Sequence, residues 1–291
     1  MADTRQGATS GGPADPPRGA TSSGADDAIE VARNAARVVP PTLRGLDLEE
    51  HLRDPARKQQ FVTPMFDIIA PRYDDFTRIF SFGMDRAWKA ELLDALRGRW
   101  RDDMVAIDIA CGTGDLALAV AALASRGRVV GVDASPRMIE LANARAAATA
   151  VGLPLTFEVG DMAGLRVADG SVDLVTGGYA LRNAPDWRAA VTECARVLKP
   201  GGLLVTLDFY RPVNALWRTA FLAYLRAAGE LIGWWWHGHG IVYGYIAPSI
   251  AHFCTIPEYE HTLTDAGLVV AHRAVKLGGG VALHVARRAS A

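Results

Sequence analysis

The amino-acid sequence predicts an α/β fold: a doubly wound, mostly parallel sheet of seven strands with an antiparallel C-terminal hairpin and a helical cap. Three observations predict it. Five apolar, strand-like runs recur at 104–110, 128–133, 155–159, 172–178 and 202–209, and helix-like runs separate most of them, the pattern of right-handed parallel crossovers. A glycine turn, DIACGTGD (108–115), joins the first run to the helix-like run Leu116–Val120. Two last apolar runs, 268–275 and 281–285, are linked by Leu277-Gly-Gly-Gly280 and read as a closing hairpin.

Along the chain, residues 1–45 are low in complexity and poor in large apolar groups, which predicts a disordered arm ahead of one domain, 46–291. Within 46–100, Phe66, Ile69, Tyr73 and Phe76, then Trp88, Leu92, Leu93 and Leu96, repeat at helical spacing. Ser135 followed by Pro136 predicts a helix start, as does Asp186. The helix after Asp186 carries the stripe Val191, Ala195 and Leu198 and is expected to stop at Pro200-Gly201-Gly202. Residues 213–254 form a Trp- and Tyr-rich helical insertion, and 257–266 a helix stopped by Gly267.

Half of the 291 residues are apolar, enough for a large core. The 31 Lys and Arg balance the 32 Asp and Glu, so nucleic acid is not an expected partner. The three cysteines, Cys111, Cys194 and Cys254, form no C-x-x-C pair, which argues against a disulfide framework or zinc knuckle. Residues 1–30 hold no signal-like apolar run, and Leu216–Trp236 carries Arg218, Arg226 and Glu230, so an amphipathic segment and a cytoplasmic location are expected.

Gly112 and Gly114 let backbone approach a ligand where no Cβ intervenes. A phosphate, a dinucleotide or a methyl-donor nucleoside would each suit such a turn, and Gly112-Thr-Gly114-Asp-Leu-Ala117 also fits the dinucleotide pattern. Asp133 ends the second strand about 20 residues on, placed to accept both hydroxyls of a ribose. Asp161 and Met162 follow the third strand, where an adenine would lie, and the helical segment 61–96 is positioned to close over a donor, which favours the methyl donor.

YDDFTRIFSFGMDRAWK (73–89), DIACGTGD, VDAS (132–135), GGYALRNAPD (177–186), RVLKPGG (196–202) and GGGVALH (278–284) together resemble the class I S-adenosylmethionine-dependent methyltransferases, and among them the ubiquinone/menaquinone biosynthesis C-methyltransferases. The resemblance spans 61–287 and implies S-adenosyl-L-methionine as the methyl donor. It places donor contacts on Asp108, Gly112, Thr113, Gly114, Asp133, Ala134, Asp161, Met162 and Gly178, where the family usually has serine at the last. Other departures are Phe76-Thr77 for Met-Asn, Asp85 for histidine, and Asp208 and Tyr210 for a glutamate and a serine.

The resemblance further implies Arg182 and Asn183 at a ring hydroxyl of the acceptor, with Tyr73 and Asp85 as candidate bases and no metal. A guanidinium keeps its proton, so Arg182 is expected to stabilise a phenolate. The implied substrate is a hydrophobic, prenylated quinone precursor; another small hydrophobic acceptor, a nicotinamide-dependent oxidoreductase and a donor-binding scaffold are the alternatives. WWWHGHG (234–240) offers His237 and His239 without a third ligand at metal spacing. Its tryptophans, with Phe221, Tyr224 and Tyr243, fit a substrate lid, a membrane-surface contact, core packing or a homodimer interface.

Overall fold

The computed structural model describes residues 51–290 except 53, 100, 102, 124–125, 150–153 and 239. The expected arm, 1–45, lies outside the described residues. Among the described residues, three helices precede the sheet: α1 (Pro55–Ile69), α2 (Tyr73–Phe80) and α3 (Met84–Leu96). The helical stretch is broken at the 3-10 turn Ala70–Arg72, where Pro71 offers no N–H to an α-helical ladder, and again at Ser81–Gly83.

The alternating half follows as β1 (Val105–Ile109), α4 (Asp115–Ala121), β2 (Arg128–Asp133), α5 (Pro136–Ala148), β3 (Leu155–Val159), β4 (Val172–Gly178), α6 (Trp187–Val197) and β5 (Leu198–Phe209). Then come α7 (Ala215–His237), α8 (Ile241–Gly244), α9 (Ile246–Ala251) and α10 (Ile256–Asp265), and the strands β6 (Leu268–Lys276) and β7 (Val281–Arg288). They build one seven-stranded sheet in the order β3-β2-β1-β4-β5-β7-β6. β1 to β5 pair parallel, while β7 runs antiparallel to both β5 and β6.

Side chains alternate across the sheet into two cores. Val205, Leu207 and Phe209 of β5 join Leu92 and Phe61 on one face; Leu204, with Ile107 and Ile109 of β1, joins Trp187 and Val191 on the other. Each such burial stabilises by roughly 1.5–3 kcal/mol, which is why a near-continuous apolar run marks every central strand.

Ser135 and Asp186 cap α5 and α6 as the sequence predicts, Ser135 accepting from the Met138 N–H and Asp186 from the N–H groups of Arg188 and Ala189. The end of α6 differs from expectation. The helix stops at Val197, and Leu198, fully buried, already pairs with Val172, so β5 begins ahead of the Pro-Gly-Gly turn and absorbs it as an irregularity in register.

Candidate active site

Strand order reverses between β1 and β4, the point at which open α/β sheets bind ligands beyond the strand ends. There the structure holds a cavity of about 630 Å3, open to solvent on one side. Gly112, Asp133, Ala134, Asp161, Met162 and Gly178 line its sheet side, and Gln59, Val62, Phe66 and Tyr73 of α1 and α2 roof it.

Gly112 sits at φ +55° and Gly114 at φ +81°, left-handed values that only glycine takes at little cost. A Cβ on Gly112 would stand 3.7 Å from the Tyr73 ring, so bare backbone faces the roof. Asp133 ties the two loops of the floor together: one carboxylate oxygen accepts from Gly112 N at 2.8 Å, the other from Ser135 N at 2.9 Å. Each oxygen keeps a lone pair for a further donor. Burial pushes the Asp133 carboxyl above its ordinary range, against those backbone hydrogen bonds, so added donors would favour its charged form.

Three expected donor contacts do not reach the cavity. The Thr113 hydroxyl donates to Asp74 at 2.8 Å and lies within 3.3 Å of Arg145, which also pairs with Asp74. Thr113 thus clasps α2 to the glycine turn. A Cβ on Gly114 would come within 2.7 Å of the Phe157 ring, so this glycine serves the packing of turn against sheet. Asp108 is 1% exposed beneath the turn, takes the Thr176 hydroxyl at 2.7 Å and is pushed up to about 7 by burial. A second clasp holds the roof: Asp67 of α1 accepts from the Ser135 hydroxyl at 2.5 Å.

A smaller cleft of about 360 Å3 adjoins the cavity and shares Tyr73 and Tyr179 with it. Phe76, Phe80, Phe209 and Ile246 make it apolar; Thr77, Ser81 and Arg182 supply its polar edge. Both positions of the Phe76-Thr77 departure therefore shape this cleft.

Behind it lies a buried polar network. Arg182 faces Asp208 as an ion pair at 3.6 Å and donates to Asn183 and Ser249, each at 3.1 Å. Asn183, which lines the larger cavity, also accepts from the Tyr245 hydroxyl and donates to the Tyr179 carbonyl. Lys58 of α1 donates to the Arg182 carbonyl at 2.8 Å. Burial raises Asp208 to about 6 although Arg182 opposes it, and burial with the Arg182 charge lowers Lys58 to about 8. The two departures at the end of β5 thus separate: Asp208 balances Arg182, whereas Tyr210 packs among Phe253, Tyr259 and His284 away from the cleft.

Neither candidate base has the expected setting. Asp85 lines neither space and accepts from the Ser81 hydroxyl at 2.8 Å, held back at the start of α3. Tyr73 lies between both spaces, but burial raises its pKa, so at neutral pH it holds its proton. The residues that sequence reasoning missed are the roof side chains of α1, Lys58, and Tyr179. Tyr179 stands within the quoted GGYALRNAPD segment, and its place after the fourth strand was the signal.

All three cysteines are buried free thiols. The described residues contain no group of three side chains able to hold a metal; His239 and the His237 side chain lie outside them.

This arrangement sits in a recognised setting. The model of the ubiE/COQ5 methyltransferase family matches residues 54–288. The chain is 32% identical over 247 residues to a demethylmenaquinone methyltransferase of Desulfitobacterium hafniense, covering 84% of this chain and 96% of that protein. It is 35% identical over 224 residues to the demethylmenaquinone methyltransferase of Thermus thermophilus, covering 77% and 100%. Among solved structures, the geranyl diphosphate C-methyltransferase of Streptomyces coelicolor, in complex with S-adenosyl-L-homocysteine, aligns with a TM-score of 0.53 at 18% identity over 70% of this chain and 78% of that one, a likeness of fold. The chain belongs to the ubiE/COQ5 methyltransferase family and is a methyltransferase.

Proposed function

We propose that the larger cavity takes S-adenosyl-L-methionine and the smaller cleft an aromatic ring of a hydroquinone, and that the product is a C-methylated quinone precursor. The observation that carries this reading is the shared wall: a carboxylate-floored, glycine-lined cavity opens beside an apolar cleft with a buried guanidinium, and Tyr73 and Tyr179 divide them. The family of demethylmenaquinone methyltransferases to which the relatives belong favours a naphthoquinol ring.

The residues present fit the donor. Asp133 offers free lone pairs to two adjacent hydroxyls, Asp161 and Met162 border the same cavity, and the rings of Phe66 and Tyr73 suit a cationic sulfur. When bound, that sulfonium supplies a methyl group for in-line displacement. Arg182 stabilises the phenolate that makes the ring carbon nucleophilic, because its guanidinium places a positive charge at the edge of the cleft. Asn183, fixed by three hydrogen bonds, orients the ring from the donor side. The α1–α2 roof excludes water.

Gly178 has room for the family's serine, since an added Cβ would stand 3.6 Å from Leu116 in ordinary contact. Gly178→Ser is expected to tighten S-adenosylhomocysteine binding about 3- to 10-fold, one hydrogen bond's worth, in a calorimetric titration.

We propose further that the methyltransferase domain works at a membrane surface. Among the described residues no helix is long and apolar enough to cross a bilayer. Yet Leu231, Trp234 and Trp235 on α7 are 68%, 68% and 72% exposed, and Phe82, beside the α2 wall of the cleft, 75%. Aromatic side chains of this kind suit the interface in which a prenylated ring dissolves.

The test is a methyl-transfer assay with a long-chain demethylnaphthoquinol carried in vesicles and a short-chain analogue in solution. Methylation of both, with Trp234→Ala/Trp235→Ala raising KM several-fold for the vesicle-borne acceptor alone, is the expected result. Methylation of other hydrophobic phenols but of neither quinol would overturn the acceptor, and an unchanged KM would remove the membrane contact.

A further inference from the structure

We propose that the Tyr179 hydroxyl is a second donor to the acceptor oxygen that Arg182 stabilises, so that the two form an oxyanion site for the ring phenolate. This rests on the reading of the smaller cleft as the ring's site. Tyr179 is 5% exposed, stands in the wall shared by the cavity and the cleft, and its Oη finds no hydrogen-bond partner among the described residues. Buried hydroxyls are nearly always paired, and one left unpaired beside a cleft is a donor in waiting. The Nε of Arg182, which lines the same cleft, is the other buried donor there without a hydrogen bond, its ion pair with Asp208 being too long to be one.

The Tyr179 ring packs on Phe209 with centroids 5.4 Å apart, and its backbone is strained. Tyr179 takes φ +58°, a genuine outlier for a bulky aromatic residue. The conformation is fixed from both sides, the Tyr179 N–H donating to Leu207 O at 2.6 Å and its carbonyl accepting from the Asn183 amide at 2.9 Å. Strain of this kind persists where surrounding structure over-determines it, and it gathers at ligand clamps. The same Asn183 therefore sets both the Tyr179 backbone and, through its Oδ1, the guanidinium of Arg182. Burial, with Asp85, Tyr73 and Asp208 adding to it and Arg182 opposing, holds the phenol far above its ordinary pKa. Tyr179 thus donates and does not act as the base.

Tyr179→Phe in the full-length chain tests this, with kcat, KM, the pH profile of kcat, S-adenosylhomocysteine affinity and melting temperature measured together. Loss of one oxyanion donor should lower kcat about 100-fold. The limb of the profile that reports ring deprotonation should move to higher pH, since the phenolate is less stabilised. Donor affinity should stay within about twofold, and the melting point should hold or rise, because an unpaired buried hydroxyl is removed. Unchanged kcat with an unmoved limb would overturn the proposal, and so would a large fall in melting temperature, which would make the hydroxyl structural. A wild-type chain that binds S-adenosylhomocysteine yet methylates no hydroquinone would instead overturn the acceptor reading, and this inference with it.

Discussion

Asp133→Ala is expected to weaken S-adenosylhomocysteine binding by about 100-fold or more in calorimetry. The carboxylate is the only side chain that accepts from both floor loops, at Gly112 N and Ser135 N, among the described residues. Hydrogen bonds to a charged group contribute roughly 1.5–3 kcal/mol each, and ~1.4 kcal/mol is tenfold in affinity, so losing the proposed sugar contacts alone reaches this size. Loosening of the glycine turn adds to it and should lower the melting point by several degrees at the ~2–4 °C per kcal/mol of a domain this size. Asp133→Asn keeps one acceptor and should lose less. An affinity equal to wild type in both variants would place the nucleoside elsewhere.

Arg182→Met is expected to have the second large effect, and stability and turnover should separate. Removing one partner of a buried ion pair costs about 3–5 kcal/mol because the other charge is left uncompensated. Here that charge is Asp208, 1% exposed, with Lys58 the remaining cation near it. Burial holds the folded-state pKa of Asp208 near 6, above its ordinary value. A carboxyl raised in this way contributes stability at low pH, and the contribution is lost as pH rises through the folded value. Without Arg182 that value climbs further. Arg182→Met should therefore be well folded near pH 5 and increasingly destabilised toward pH 8 in thermal melts. Arg182→Met/Asp208→Asn should recover most of the stability at pH 8, while turnover stays about 100- to 1,000-fold down for want of the phenolate donor. Recovery of turnover in the double variant would remove Arg182 from the chemistry.

The parts of this molecule that were legible in the sequence are those written in local pattern. The glycine turn with Asp133 and the two helix caps follow from steric and hydrogen-bonding rules that act over a few residues. The apolar runs of the central strands β1, β4 and β5 follow from burial on both faces of the sheet. Asp161 and Met162 were reachable because they stand just beyond the third strand, where such sheets gather ligands, whereas Gly178 and Asn183 were reachable only through the family resemblance.

What escaped was set by tertiary contact. Thr113 sits in the turn as any ligand contact would, but Asp74, from a helix far upstream, takes its hydroxyl. Lys58 reaches Arg182 across more than a hundred residues of chain, a pairing no spacing reveals. Asp85 reads as a candidate base, and only the fold shows that the Ser81 hydroxyl occupies it. The positive φ of Tyr179 is invisible to propensity, since tyrosine rarely adopts it; Leu207 and Asn183 impose it from neighbouring elements.

The most direct test of the central claim is a crystal structure of the chain with S-adenosylhomocysteine. The nucleoside should lie over the β1–β4 crevice, with its two sugar hydroxyls within about 3 Å of the Asp133 carboxylate and its adenine beside Asp161 and Met162. Nucleoside density away from that floor, or a crevice closed by its own side chains while the ligand binds elsewhere, would contradict the account.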